Sequence, residues 1–316
     1  MQVCVNRLLQ VLAMVVACLS LLTACVGISA AELQSTGSKL TPVSINFAEL
    51  GSYAERSRAA YDAIPKIKAS YPKTIRISSP GDTGVRYFLE RDDKAKTQII
   101  TVRGTADRKN FLEDLDIVVR IDRQADIPAH AGFDQAARAV YSDARLYLKR
   151  GYKTYVTGHS LGGAVAALVA IYATEDGFIV ERVITFGQPR FTTAAGVARL
   201  RLPIIRVIDE NDVVPMLPPA TATDPNFGPY EHVGPEVILL QGQRYVYLPA
   251  HDANRLSIGE YWRSIGIADL ADHKMDKYVN RLVNKINGAV EVAYNQREKY
   301  IGLPNIKWPA PNLLNW

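Results

Sequence analysis

A chain of 316 residues, 48% of them hydrophobic, has the material for a sizeable core in one large domain or two small ones, and its composition excludes a disordered or low-complexity protein. The 37 lysines and arginines barely exceed the 32 aspartates and glutamates, and no basic block is interleaved with aromatics, which argues against nucleic-acid binding. All three cysteines, Cys4, Cys18 and Cys25, sit near the N-terminus, so the rest of the chain carries no disulfide framework, thiol chemistry or cysteine-zinc site.

Residues 1–31 read as a secretory signal peptide. Arg7 gives a positive start, residues 8–22 are almost uncharged and apolar, and small residues follow. A membrane-spanning helix is the competing reading of the same run. Two cleavage points are present. Leu22-Thr23-Ala24-Cys25 resembles a bacterial lipobox, in which Cys25 is acylated and anchors the chain in the cell envelope; Ser29-Ala30-Ala31 before Glu32 is an ordinary small-x-small site. The lipobox is the more specific pattern and is preferred. Residues 32–44 read as a polar tether, and 45–316 as a single domain without internal repeat or linker.

Within that domain, residues 47–68 carry Leu50, Tyr53, Ala54, Ala60, Tyr61, Ile64 and Ile67 at helical spacing, and 85–90 and 98–102 read as a β-hairpin turning through Arg91-Asp92-Asp93. Residues 132–149 place Phe133, Ala136, Val140, Ala144 and Leu148 on one helical face. A strand at 154–157 then meets an alanine-rich helix at 164–172, and strands at 182–186 and 204–208 flank helix-prone 193–200. This alternation predicts an α/β fold with a mostly parallel sheet and crossover helices. Residues 215–235 are proline-rich and read as a long ordered loop, 237–240 and 244–248 as a second hairpin near the sheet edge. Residues 272–286 predict a helix with Met275, Tyr278, Val279, Leu282, Val283 and Ile286 inward, and 290–300 extends or follows it.

Between the strand at 154–157 and its helix lies Gly158-His159-Ser160-Leu161-Gly162, the pattern of a nucleophile elbow. Ser160 falls on the turn, where the flanking glycines let strand and helix approach closely and the free amides of the helix N-terminus point toward the serine. A serine hydroxyl is a weak nucleophile at neutral pH and needs a histidine base with a carboxylate behind it. Such elements follow in chain order serine, acid, histidine, which leaves His232, His251 and His273. Asp212 follows the strand at 204–208, beyond its carboxyl end, where parallel sheets place functional groups; Asp209 is the rival, close enough to the strand to serve as its cap. His273 precedes a helix, a position from which a ring can reach back over the sheet edge. His232 and His251 read as structural.

Six motifs stand in order: Val102-Arg103-Gly104-Thr105, Ala129-His130-Ala131-Gly132-Phe133, Gly158 to Ala164, Thr185-Phe186-Gly187-Gln188-Pro189-Arg190, Asn211-Asp212-Val213-Val214-Pro215 and Asp272-His273-Lys274-Met275. Together they resemble the class 3, fungal-type lipases of the α/β-hydrolase superfamily, over roughly residues 50–285. The resemblance implies Ser160 as nucleophile, Asp212 as orienting acid and His273 as base. It also implies an oxyanion hole from the amides of Leu161 and Thr105, and a lid between Thr105 and Ile117 whose mobility emulsified substrate would test. His130, His159 and His232 match motif positions and are given packing and hydrogen-bonding roles. The implied activity is carboxylic ester hydrolysis, most simply of acylglycerols, through an acyl-enzyme and without metal or organic cofactor. Phospholipase or short-chain esterase chemistry on the same triad is the alternative, and a non-catalytic envelope lipoprotein on a hydrolase fold is the rival from another class. The implied partners are a lipid or ester substrate and a membrane met through the N-terminal anchor or the lid. Relatives of this family are commonly disulfide-bonded and freely secreted, from which the cysteine-free body and the lipobox depart.

Overall fold

Asn46 opens the architecture: its side chain accepts a hydrogen bond from the Glu49 amide at 3.0 Å and caps helix α1 (Phe47–Ala59). The computed structural model describes residues 44–104, 118–256 and 272–301, so the readings on the signal peptide, Cys25, the tether up to residue 43, Thr105 and the lid segment 105–117 lie outside the described residues. The helix predicted over 47–68 is two helices, α1 and α2 (Ile64–Ser70). Pro65 stands in the first turn of α2, where its missing N–H costs no bond; inside one continuous helix it would remove one.

The chain continues through β1 (Thr74–Ser78), β2 (Arg86–Asp92), β3 (Thr97–Arg103), β4 (Val119–Asp122), β5 (Ile127–His130), α3 (Ala131–Ala144), β6 (Lys153–His159), α4 (Leu161–Glu175), β7 (Ile179–Phe186), β8 (Thr192–Thr193), α5 (Ala194–Arg199) and β9 (Ile204–Asp209). After a 3-10 turn at Val214–Met216 come β10 (Thr223–Asp224), β11 (Gly228–Glu231), β12 (Glu236–Leu239), β13 (Arg244–Leu248), α6 (Met275–Ile286), β14 (Val290–Glu291) and a 3-10 segment at Tyr294–Tyr300. The main sheet runs β1-β2-β3-β6-β7-β9-β12-β13-β14. Its inner joins, from β3 to β6, β7, β9 and β12, are parallel, while β1, β2 and β13 join antiparallel. This is the α/β-hydrolase arrangement, a mostly parallel sheet with helices on its faces.

Alternation along β6 sorts the two faces. Tyr155 stacks on Tyr53 of α1 at 6.3 Å and Thr157 Oγ1 meets Ser57 Oγ at 3.1 Å, whereas Val156 between them belongs to the apolar cluster that holds α3 and α4. Helix α4 is buried from Gly162 to Ala173, and a helix that is apolar on all sides can only be a core helix.

Further elements depart from expectation. Helix α3 stops at Ala144 rather than Lys149, its end tightening into turn bonds from Leu146 to Asp143 and from Tyr147 to Ala144. Strand β1 is not among the expected strands: Thr74-Ile75-Arg76-Ile77-Ser78 alternates polar and apolar, but the run is only five residues long and none of its side chains is fully buried at the sheet edge. The proline-rich stretch 215–235 is not one loop, because β10 and β11 within it join a second, antiparallel sheet, β10-β11-β8-β5-β4. On α6, Val283 and Ile286 are 57% and 44% exposed, while Met275, Tyr278, Leu282 and Lys285 form the buried face.

Candidate active site

The elbow lies where the main sheet meets α4. Ser160 has φ 61°, a left-handed conformation uncommon outside glycine and strained for a side-chain residue. Strand and helix cross so closely there that a Cβ on Gly158 would lie 2.2 Å from the Gly162 carbonyl oxygen. A Cβ on Gly162 would strike Val102 O at 2.5 Å and Gly104 N at 2.7 Å, which places the end of β3 directly against the elbow. The Ser160 amide is spent on Phe186 O at 2.9 Å. Leu161 begins α4, so its amide is among the helix donors with no carbonyl one turn earlier.

The structure brings Asp212 and His273 together. Asp212 is fully buried, and its Oδ2 accepts from His273 Nδ1 at 2.7 Å and from Tyr278 OH at 2.5 Å, while Oδ1 accepts from the Val214 amide at 2.9 Å. A carboxylate only accepts, so Nδ1 carries the imidazole proton and Nε2 is the lone-pair nitrogen. Nε2 is buried and has no hydrogen-bond partner among the described residues. A second histidine holds the first in place: His159 Nε2 donates to the His273 carbonyl at 2.8 Å, and its Nδ1 therefore accepts from Tyr61 OH at 2.8 Å. The His159 and His273 rings lie 4.5 Å apart.

The other candidates sit elsewhere. Asp209 ends β9 and pairs with Arg281 at 3.1 Å, and burial raises its carboxyl to about 6 despite that partner. His232 is buried against Pro215 O at 2.7 Å, and burial, followed by Arg206 and Arg190, pushes its pKa well below the usual imidazole value. His251 is exposed. His130 caps α3, its ring stacked on Phe133 at 4.0 Å.

Two contributors escaped the sequence reading. The sequence reads Tyr278 as inward core, yet a buried tyrosine hydroxyl needs a partner, and here it is the carboxylate of Asp212. Gly187, at φ 54°, makes the room: a Cβ there would lie 2.7 Å from Asp212 Oδ2, 2.9 Å from His273 Cε1 and 2.9 Å from Tyr278 OH. The Phe186-Gly187 step signals a turn, but nothing local reveals what it turns around.

Comparison with known proteins agrees with this architecture. Residues 99–222 match the model of the class 3 lipases. A secreted mono- and diacylglycerol lipase of Fusarium solani is 32% identical over 164 residues, covering 49% of this chain and 47% of the relative. The chain spans about half the length of the curated relatives it matches. Among solved structures, a triacylglycerol lipase described as having a serine protease triad is 27% identical with a TM-score of 0.52, covering 61% of this chain and 79% of its own. A fungal lipase solved with an inhibitor, as a model for interfacial activation, is 25% identical with a TM-score of 0.57 and is covered over 96% of its length, by 76% of this chain. With the family match spanning the elbow and the Asp212 loop, the chain is similar to the class 3 lipases over residues 99–222, and it shares the α/β-hydrolase fold of solved fungal lipases.

Proposed function

We propose that this protein hydrolyses carboxylic esters, acylglycerols foremost, with Ser160 as nucleophile, His273 as base and Asp212 as orienting acid. The observation that carries the reading is the hydrogen bond from His273 Nδ1 to buried Asp212, which leaves Nε2 as a free acceptor on the fold that holds a strained elbow serine. Ser160 Oγ attacks the ester carbonyl as Nε2 takes its proton; Asp212 stabilises the imidazolium, which then protonates the leaving alcohol. Water, deprotonated by the same nitrogen, then attacks the acyl carbonyl; the bond to Ser160 Oγ breaks, the acid leaves, and the imidazolium returns its proton to Oγ. The Leu161 amide supports the reading as one oxyanion donor, and Thr105, next after the strand end packed against the elbow, is the proposed second. The Fusarium solani relative acts on mono- and diacylglycerols by its name, which favours acylglycerol over other esters.

Export is part of the proposal, supported by the leader composition and by a relative described as secreted, with acylation of Cys25 as its finer form. Palmitate label is expected on the wild type and absent from Cys25→Ala. The activity is tested on p-nitrophenyl esters of increasing chain length and on emulsified triacylglycerols, with the chain from Glu32 onward and its Ser160→Ala variant. Turnover that disappears in the variant is expected. A folded wild type that neither turns over ester nor reacts with a fluorophosphonate would refute the proposal.

A further inference from the structure

Arg190 is 1% exposed, and no carboxylate among the described residues lies within ion-pair distance of it. Its Nη1 donates to the carbonyls of Met216 and Pro218, but Nε and Nη2 are buried with no partner among the described residues. Burial first, and the neighbouring Arg206 second, lower the guanidinium to about 10, which still leaves it charged at neutral pH. Arg206 is fully buried too, with Glu236 2.7 Å from its Nη1, though not aligned for a hydrogen bond.

Arg190 lines a cavity of about 30 Å³ together with Glu210, His232, Glu236 and Arg297. Each carboxylate at this cavity has its own arginine, Glu236 with Arg206 and Glu210 with Arg297 at 3.4 Å. Arg190 and Arg297 are the guanidiniums of the lining; Arg297 is taken by Glu210 and Glu236 by Arg206 behind the lining, so Arg190 has no ion pair among the described residues and feels Glu236 and Glu231 only from beyond that range. His232 adds no charge, since burial beside the two arginines keeps it neutral; Nε2 donates to Pro215 O, so its unpartnered Nδ1 is an acceptor. A buried charge without a counter-charge is costly, and a cavity needs only about 10–15 Å³ for each water-sized occupant.

We propose that this cavity is a site for one small monovalent anion of halide size, held by Arg190 Nε and Nη2, with a water bridging it to His232 Nδ1. The space admits two small occupants, the anion gives Arg190 the contact that no ion pair supplies, and the water supplies the donor that His232 lacks. The ligand is the free ion; a fatty carboxylate does not fit the volume.

The probe is bromide. Anomalous diffraction from crystals of the protein grown in sodium bromide is expected to place one ion at hydrogen-bonding distance from Arg190 Nε and Nη2. In solution, the thermal midpoint in sodium chloride or bromide is expected to exceed that in sodium gluconate of equal ionic strength by about 2–4 °C, saturably, as for a ligand bound only by the folded state. Arg190→Gln is expected to remove that difference, and the wild-type diffraction result stands on its own should this variant fold poorly. Equal midpoints in halide and gluconate, or no bromide at Arg190, would leave only water in the cavity and overturn the proposal.

Discussion

At the residue scale, the Asp212–His273 pair depends on donors and space rather than on the two side chains alone. Asp212→Asn keeps the shape but can donate to His273 Nδ1 and so favours the wrong tautomer; an activity drop of about 10,000-fold with an unchanged melting point is expected, and a loss under tenfold would count against the assigned role. Tyr278→Phe removes one of the donors on Asp212 Oδ2. Hydrogen bonds to charged groups are worth about 1.5–3 kcal/mol, so kcat is expected to fall about tenfold with KM little changed, measured on a soluble ester. Gly187→Ala is expected to be more damaging than its one added carbon suggests, because that carbon meets all three members of the Asp212, His273 and Tyr278 cluster from a left-handed backbone. Activity lost together with a lowered melting point is the expected outcome.

At the element scale, Lys285 is the least legible residue of α6. A lysine near the end of an amphipathic helix reads as solvated, yet its Nζ donates to Leu240 O at 2.8 Å, Gly242 O at 2.9 Å and Arg281 O at 3.1 Å, tying the helix to the turn between β12 and β13. Its aliphatic stem fills the position an apolar residue would take, and Ile286 faces out instead. Lys285→Met keeps the stem and leaves those carbonyls without their donor. A destabilisation of about 2 kcal/mol in urea is expected, with activity per folded molecule preserved.

At the scale of the whole molecule, one polar cluster joins the second sheet to the core helices. Tyr172 OH of α4 lies 2.6 Å from Asp122 Oδ2 of β4 and 2.6 Å from Asp134 Oδ1 of α3, with Arg138 bridging both carboxyls. A hydroxyl has a single proton to donate, so one carboxyl must donate in return. Burial, then the neighbouring Asp122, raises Asp134 to about 6, which identifies it as that donor. A carboxyl that keeps its proton longer when folded stabilises the fold at low pH, and the contribution is lost as pH rises from about 4 through 6. Asp134→Asn carries the donor permanently. Its melting point is expected to gain on the wild type steadily between pH 4.5 and 7, and a constant difference would refute the shared proton.

Local sequence determined much of this protein: the elbow strand and helix, the parallel alternation, the second hairpin and the order of Ser160, Asp212 and His273 all rest on periodicity and short motifs acting within a few residues. The two sheets divide on the same ground. The main sheet is legible from β2 to β13, whose strands carry runs of apolar residues, but not at its edge strands β1 and β14. The second was invisible because β8, β10 and β11 are two to four residues long and owe their existence to pairing across distance, as between Tyr230 and Thr193. The tertiary structure alone decided which carboxylate faces His273, since Asp209 and Asp212 are three residues apart and only the turn after β9 sends one toward α6 as an ion-pair partner and the other to the imidazole. It also decided that Gly187 must lack a side chain, that Tyr278 serves Asp212, and that Arg190 is buried with no ion pair among the described residues. Each of these is a contact between residues far apart in the chain, and a sequence pattern records which face a side chain takes but not what it meets there.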